Sequence, residues 1–197
     1  LALLTDISMG VLVGDLKRKE RLSARLGDIL SNLYLASATL KRFDEQGRNQ
    51  EDLPFLDWAM HDLLHDTETA IDEFIRNFPV KAVAIFMRGL VMPFGRRIDQ
   101  PSDVMEHKIA HMLQTPCAAR DRIAYGQFTA RVEGNLMGDL EQTLDDILAV
   151  EPIFERICKA RKQKLPMTAL DALAESALQE GLIDDQEAQL MKRAEAG

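Results

Sequence analysis

A chain of 197 residues is long enough for one large domain or two small ones, and for a substantial hydrophobic core. Its composition, 46% hydrophobic and 28% charged, is ordinary for a globular protein and excludes wholesale disorder. The 24 basic and 32 acidic side chains leave a net charge of −8, the wrong sign for a nucleic-acid partner.

The first predicted element is a long helix over about 1–48. Leu22, Leu26, Ile29, Leu33, Ala36, Leu40 and Phe43 step alternately by four and three, an unbroken heptad stripe on one face. Residues 3–20 extend the same pattern, weakened by Gly10 and Gly14. Gln46-Gly47 closes it, and Asn49 to Asp52 is a polar link. A second helix starts near Pro54 with Asp52 as N-cap and carries the stripe Leu56, Met60, Leu63, Thr67, Ala70 and Phe74. Asn77-Phe78-Pro79 ends it. Val80 to Met92 is a shorter, more apolar helix closed by Pro93 and Gly95. A loop follows over 96–100, then a helix capped by Ser102 or Asp103 and running to about Gln114. Thr115-Pro116 opens a short helical piece through Ala124.

Residues 125–134 read as loop. Asn135 then opens a second long helix with the stripe Leu136, Leu140, Thr143, Ile147, Val150, Phe154 and Ile157, kinked at Pro152 and ended by Leu165-Pro166. Thr168 is the expected cap of a helix to about Glu180, with Gly181 as its C′ residue. Asp184 and Glu187 form a D-x-x-E capping pattern for a last short helix. No segment alternates with period two, and no Asn-Gly or Asp-Gly hairpin signal occurs. The expected fold is all-α: a multi-helix bundle of long amphipathic helices, because single apolar stripes are stable only when packed on each other. The expected organisation is one helical domain over 1–197. It comprises the 1–48 helix, a helical core over 52–114, and a long kinked helix with terminal helices over 135–197.

Two cysteines, Cys117 and Cys158, are too few for a disulfide framework and fit a reducing compartment. The longest charge-free run, Ile29 to Leu40, has twelve residues, well short of the roughly 20 that a membrane span needs. Leu1 to Thr5 has no basic region ahead of Asp6, so no signal peptide is expected. The opening Leu-Ala-Leu-Leu, without an initiator Met, is what a piece cut from a longer protein would show.

The histidines form two i,i+4 pairs, His61 with His65 and His107 with His111, each on one helix face. The first reads HDLLH, a near miss to HExxH in which Asp62 has too short an arm to serve a zinc-bound water. Packed or surface structural histidines are the preferred reading, with a metal-dependent helical-bundle enzyme as the rival. There is no G-x-S-x-G, no GxGxxG and no GxxxxGK[ST], so neither a nucleophile elbow nor a nucleotide cradle is legible. The carboxylates Asp139, Glu141, Asp145 and Asp146 read as a solvated helix face. Two basic clusters, Lys17 to Arg25 and Arg156 to Lys164, read first as solvated faces with i,i+4 partners. Contact with anionic lipid or a phosphate-bearing ligand is the other reading.

The segment VKAVAIFMRGLVMPF (Val80 to Phe94) is nearly all apolar apart from Lys81 and Arg88, and Arg96 and Arg97 follow it. Such a helix either lies in a membrane interface or forms the centre of a bundle, and the central reading is preferred. Exposure of Phe86, Leu90, Val91 and Phe94 decides between them. The candidate membrane or partner face comprises Val83, Phe86, Leu90, Val91, Phe94, Arg96 and Arg97.

Several blocks, in order, resemble one family. They are GDLKRKERLSARLGDILSNLYLASATLKRF (Gly14 to Phe43), LPFLDWAMHDLL (Leu53 to Leu64), NFP (Asn77 to Pro79), VMPFGRRIDQPSD (Val91 to Asp103) and NLMGDLEQTLDDILAVEPI (Asn135 to Ile153). Together they resemble the C-terminal region of the large bacterial acyl-CoA dehydrogenases, which carry out the first oxidation of fatty-acid β-oxidation. The resemblance implies an FAD-dependent parent enzyme whose flavin and acyl-CoA lie in an upstream core. No cofactor, metal or catalytic residue is then expected within these residues, and the piece alone is expected to be inactive. Val132-Glu133-Gly134-Asn135 is superficially similar to the family's V-E-G-A-N-type catalytic motif. Glu133 receives no catalytic role, because the Ala is missing and the motif lies downstream of the Ala24-Arg25-Leu26-Gly27-Asp28 block, whereas family order places it upstream. The extension is similar in position and helical character to that of the very-long-chain mitochondrial enzymes. That likeness implies packing on the upstream core, a homo-oligomer, and a cytoplasmic enzyme peripheral to the inner membrane. A free-standing helical adaptor is the remaining alternative.

Overall fold

The computed structural model describes residues 1–132, 134–163 and 166–196. Among the described residues all regular structure is helical and no strand occurs, in accord with the all-α expectation. The chain divides into two compact units, Leu1–Ala119 and Arg120–Gly197.

In the first unit, α1 (Ala2–Leu12) buries Leu4, Ser8 and Leu12 at i,i+4 spacing, and the Ser8 hydroxyl donates to the Leu4 carbonyl at 2.6 Å. The expected single helix over 1–48 does not form. Val13 turns to φ +46°, a 3₁₀ segment spans Val13–Arg18, and α2 begins only at Glu20 and runs to Glu45. Gly10 and Gly14 weaken the helix here, and the break has a packing reward. In an unbroken helix Leu4 and Ile29 would stand about 37 Å apart, whereas here Leu4, Leu12, Leu22 and Ile29 share one core.

Leu22, Ile29 and Ala36 of the α2 stripe are buried, and Leu26 and Leu33 are partly so. Toward the C-terminal end Leu40 is exposed. After the Gly47 turn (φ +90°) and a 3₁₀ turn at Gln50–Asp52, α3 spans Leu53–Arg76 with Pro54 in its first turn. Asp52 occupies the N-cap place, but its side chain does not cap the helix. Arg25 Nε lies 3.0 Å from Glu73 Oε2, so the start of α2 meets the end of α3 and the two helices run antiparallel. Asn77 donates from Nδ2 to the Glu73 carbonyl at 2.7 Å, and Phe78 turns inward with its ring centroid 5.8 Å from that of Phe74. α4 (Lys81–Val91) adds Ala84 and Met87 to the same core, followed by Met92. Ser102 caps α5 (Asp103–Gln114) by accepting from the Met105 N–H. α6 (Ala118–Ile123) carries the unit boundary.

The second unit packs α7 (Leu136–Arg161), α8 (Leu170–Gln179) and α9 (Asp185–Ala196). Its core joins Val150, Ile153 and Ile157 to Leu170, Ala174, Ala177, Ile183, Ala188, Met191 and Ala194. The expected α7 stripe holds only in its second half. Leu136, Leu140 and Ile147 are exposed, and the buried ridge is Gly138, Asp146, Val150, Ile153 and Ile157. Thr168 is not the cap of α8. That place is taken by Ala169 in the left-handed region, with no side-chain cap. The far end of α8 matches expectation. Gly181 at φ +70° lets Leu182 N–H reach the Ala177 carbonyl at 2.9 Å while its own N–H reaches Leu178 at 3.0 Å, a Schellman closure. The expected capping box at α9 is also present. Glu187 N–H donates to Asp184 Oδ1 at 2.8 Å, and Asp184 N–H donates back to Glu187 Oε2 at 3.2 Å. α7 runs on through Pro152 and stops at Arg161, with Lys162 in the left-handed region. The expected helix end at Leu165 and the last member of the second basic cluster, Lys164, lie outside the described residues, as does Glu133.

Candidate functional site

α4 is not a central helix. One side, with Ala84 and Met87 buried and Val83 and Val91 packed behind them, closes the core of the first unit. The other side faces solvent, with Phe86 62% exposed, Leu90 53% and, just beyond the helix, Phe94 80%. Ile85, which lies outside the seven candidate residues, is exposed to 75%. Its place in the apolar run gave no hint, because almost every neighbour was equally apolar. The seven candidate residues therefore divide. Phe86, Leu90 and Phe94 form an outward apolar arc, Val83 and Val91 anchor the helix, and Arg96 and Arg97 stand at its end.

The arginines are held by α3. Arg96 donates from Nη1 to Thr69 Oγ1 at 3.0 Å, and the Arg97 guanidinium carbon lies 5.9 Å from the Phe94 ring centroid. Glu68 receives the backbone N–H groups of Arg97 and Ile98 on one oxygen, at 2.8 and 2.9 Å. His65 Nδ1 meets the Ile98 carbonyl at 2.8 Å. Asp72 takes Arg88 Nη2 at 2.6 Å. A groove of about 430 Å³ beside this loop is lined by residues including Glu68, Ile71, Leu90, Val91, Phe94 and Arg97. Glu68 and Asp72 were missed from the sequence because nothing in it shows which carboxylates of α3 face the loop after α4.

The i,i+4 histidine pairs do not draw together a metal site. His65 is engaged by the 96–98 loop, His107 and His111 are exposed, and no three His, Cys, Asp or Glu side chains gather around a common point among the described residues. The basic clusters differ from each other. Arg156 pairs with Glu187, Lys159 with Glu155 at 3.1 Å, and Arg161 with Glu180 at 2.9 Å. In the first cluster Arg25 pairs with Glu73, while Lys17, Lys19 and Arg21 have no side-chain partner among the described residues.

No helix among the described residues is long and apolar enough to cross a membrane. No solved structure matches the chain. The family model described as acyl-CoA dehydrogenase, C-terminal, bacterial type matches residues 1–197. The blocks from Gly14 to Ile153 thus sit in a match that spans every residue, and the chain belongs to that family.

Proposed function

We propose that this region is a helical accessory domain of an FAD-dependent acyl-CoA dehydrogenase of fatty-acid β-oxidation. In this reading it packs on the upstream core that carries the flavin and acyl-CoA, contributes to the homo-oligomer, and holds the enzyme at the cytoplasmic face of the inner membrane. The family supports the link to an acyl-CoA dehydrogenase core. The match to the C-terminal region of that family, rather than to its whole length, supports an accessory role.

The observation that carries the membrane part is the outward arc of Phe86, Leu90 and Phe94 beside Arg96 and Arg97. Apolar side chains enter the acyl boundary while cations meet anionic head groups, the arrangement of interfacial helices. Flotation of the intact enzyme with anionic vesicles tests it. Wild type rises with the vesicles and Phe86→Asp/Phe94→Asp stays behind. Equal flotation of both, or of neither, rejects the α4 face. The accessory role is tested separately with purified residues 1–197, where retained yellow flavin or dehydrogenase turnover rejects it.

A further inference from the structure

The first basic cluster is left unexplained by a solvated helix face. Arg18, Lys19, Arg21 and Arg25 converge with Asn77 on a cleft of about 440 Å³ between the start of α2 and the turn after α3, and Glu20 is the one acid among its lining residues. In the cluster at 156–161, each of Arg156, Lys159 and Arg161 has its own carboxylate. Here Lys19 and Arg21 have none among the described residues, and Arg18 has only Asp15 at 3.8 Å, both well exposed. Arg25, the most buried of the four at the side chain, is fixed by Glu73.

The local sequence is also working against the helix. The Lys19 side chain, at the N-cap of α2, offers no acceptor to the first N–H groups, although its backbone carbonyl takes those of Leu22 and Ser23, and Arg21 stands in the first turn beside Glu20. Cations at the positive end of a helix repel its dipole, and acids are the stabilising choice there. Lys19 and Arg21 thus oppose the dipole that Glu20 complements, and an anion joining them would relieve that cost. In a chain of net charge −8, unpaired cations around a cleft concentrate positive potential against an acidic total.

We propose that this cleft binds a phosphate-bearing anion, with Arg18 and Arg21 as guanidinium donors, Lys19 as a point charge and the already fixed Arg25 on its wall. Guanidinium groups pair phosphate oxygens in bidentate fashion, and the positive end of the α2 dipole adds to the attraction without defining the site. The phosphate comes either from a soluble phosphate ester or from a lipid head group, and both present the same oxygens. The proposal is independent of the accessory-domain reading and of the α4 face.

The test is titration calorimetry of the intact protein with inorganic pyrophosphate, at low and at physiological salt, alongside Lys19→Glu/Arg21→Glu. Lys108→Glu, an exposed cation on α5, is the charge control. Wild type binds, binding weakens as salt rises, the double variant loses tenfold or more, and Lys108→Glu changes by less than twofold. The double variant also melts at the same temperature as wild type or higher, because it places acids at the helix start. This separates lost binding from lost folding. Adding phosphatidylglycerol vesicles distinguishes the sources. Displacement of pyrophosphate by the vesicles assigns a head group, and retention assigns a soluble ester. No pyrophosphate binding, binding that survives Lys19→Glu/Arg21→Glu, or an equal loss in Lys108→Glu overturns the proposal.

Discussion

Arg193 closes on Asp146 with two parallel hydrogen bonds, Nε to Oδ2 at 2.7 Å and Nη2 to Oδ1 at 2.6 Å, and so ties α9 to α7 across 47 residues of sequence. Asp146 is 4% exposed, and Gln142 Nε2 completes its shell at 3.0 Å. A buried carboxylate is tolerable only when paired and hydrogen-bonded in this way. The Arg193 guanidinium, helped by Gln142, holds the Asp146 carboxyl below the usual carboxylate range against the opposing effect of burial.

Asp146→Asn keeps the shape and removes the charge. The variant is expected to lose about 1.5–3 kcal/mol, the range for hydrogen bonds to charged groups. The pH dependence follows from the sign of the shift. The folded carboxyl titrates below the unfolded one, so its stabilisation is fully present above the unfolded value of about 4. It is lost as pH falls through the lower folded value. Thermal melts from pH 7 downward check this. The gap between wild type and Asp146→Asn is constant above about pH 5 and narrows below about pH 4. A gap that widens with acid contradicts the assignment.

Gly138 sits in the first turns of α7 under the backbone of the preceding segment. A Cβ there would lie inside contact distance of the Ala130 carbonyl oxygen and 2.9 Å from its carbonyl carbon. Elsewhere in a helix, Gly→Ala gains up to about 1 kcal/mol. Here the clash is with backbone, and overpacking costs typically about 1–3 kcal/mol, so the sign reverses. Gly138→Ala is expected to lower stability and to release the segment around Ala130, which Asn135 Nδ2 now holds by the Phe128 and Ala130 carbonyls at 3.2 and 2.7 Å. Faster proteolysis between Tyr125 and Val132 measures the release. Unchanged cleavage with raised stability refutes it.

Glu68 is the anchor of the loop that presents Arg96 and Arg97. Glu68→Ala frees the N–H groups of Arg97 and Ile98 and is expected to cost about 1 kcal/mol, because the loop is accessible to water. Amide hydrogen exchange at Arg97 and Ile98 rises, while exchange at the buried Phe74 and Ile75 stays protected. If exchange rises equally across α3, the carboxylate supports the whole helix instead of the loop alone.

Much of the secondary structure was legible because its causes are local. Ser102, the Asp184–Glu187 box, Gly181 and the Pro54 and Pro79 boundaries each act within one turn of their own helix. Thr168 shows the limit even of local rules. A capping residue type was present, yet the chain started α8 after Ala169. The candidate site was legible only as a set of residues. The apolar run of α4 named Phe86, Leu90 and Phe94, but the same run named Val83 and Val91, which face the core.

The amino-acid sequence by itself determined the all-α class seen among the described residues, roughly where most of the helices start and stop, and the family. Hydrophobic period and end signals are properties of a few neighbouring residues. Tertiary packing decided that the 1–48 pattern breaks at Val13, that α4 turns one side outward, and that the buried ridge of α7 passes through Asp146 instead of Leu140. A periodic stripe offers several adjacent faces of similar apolarity. Which one is buried depends on what meets it, and for α7 that includes an arginine 47 residues away, which no local pattern records.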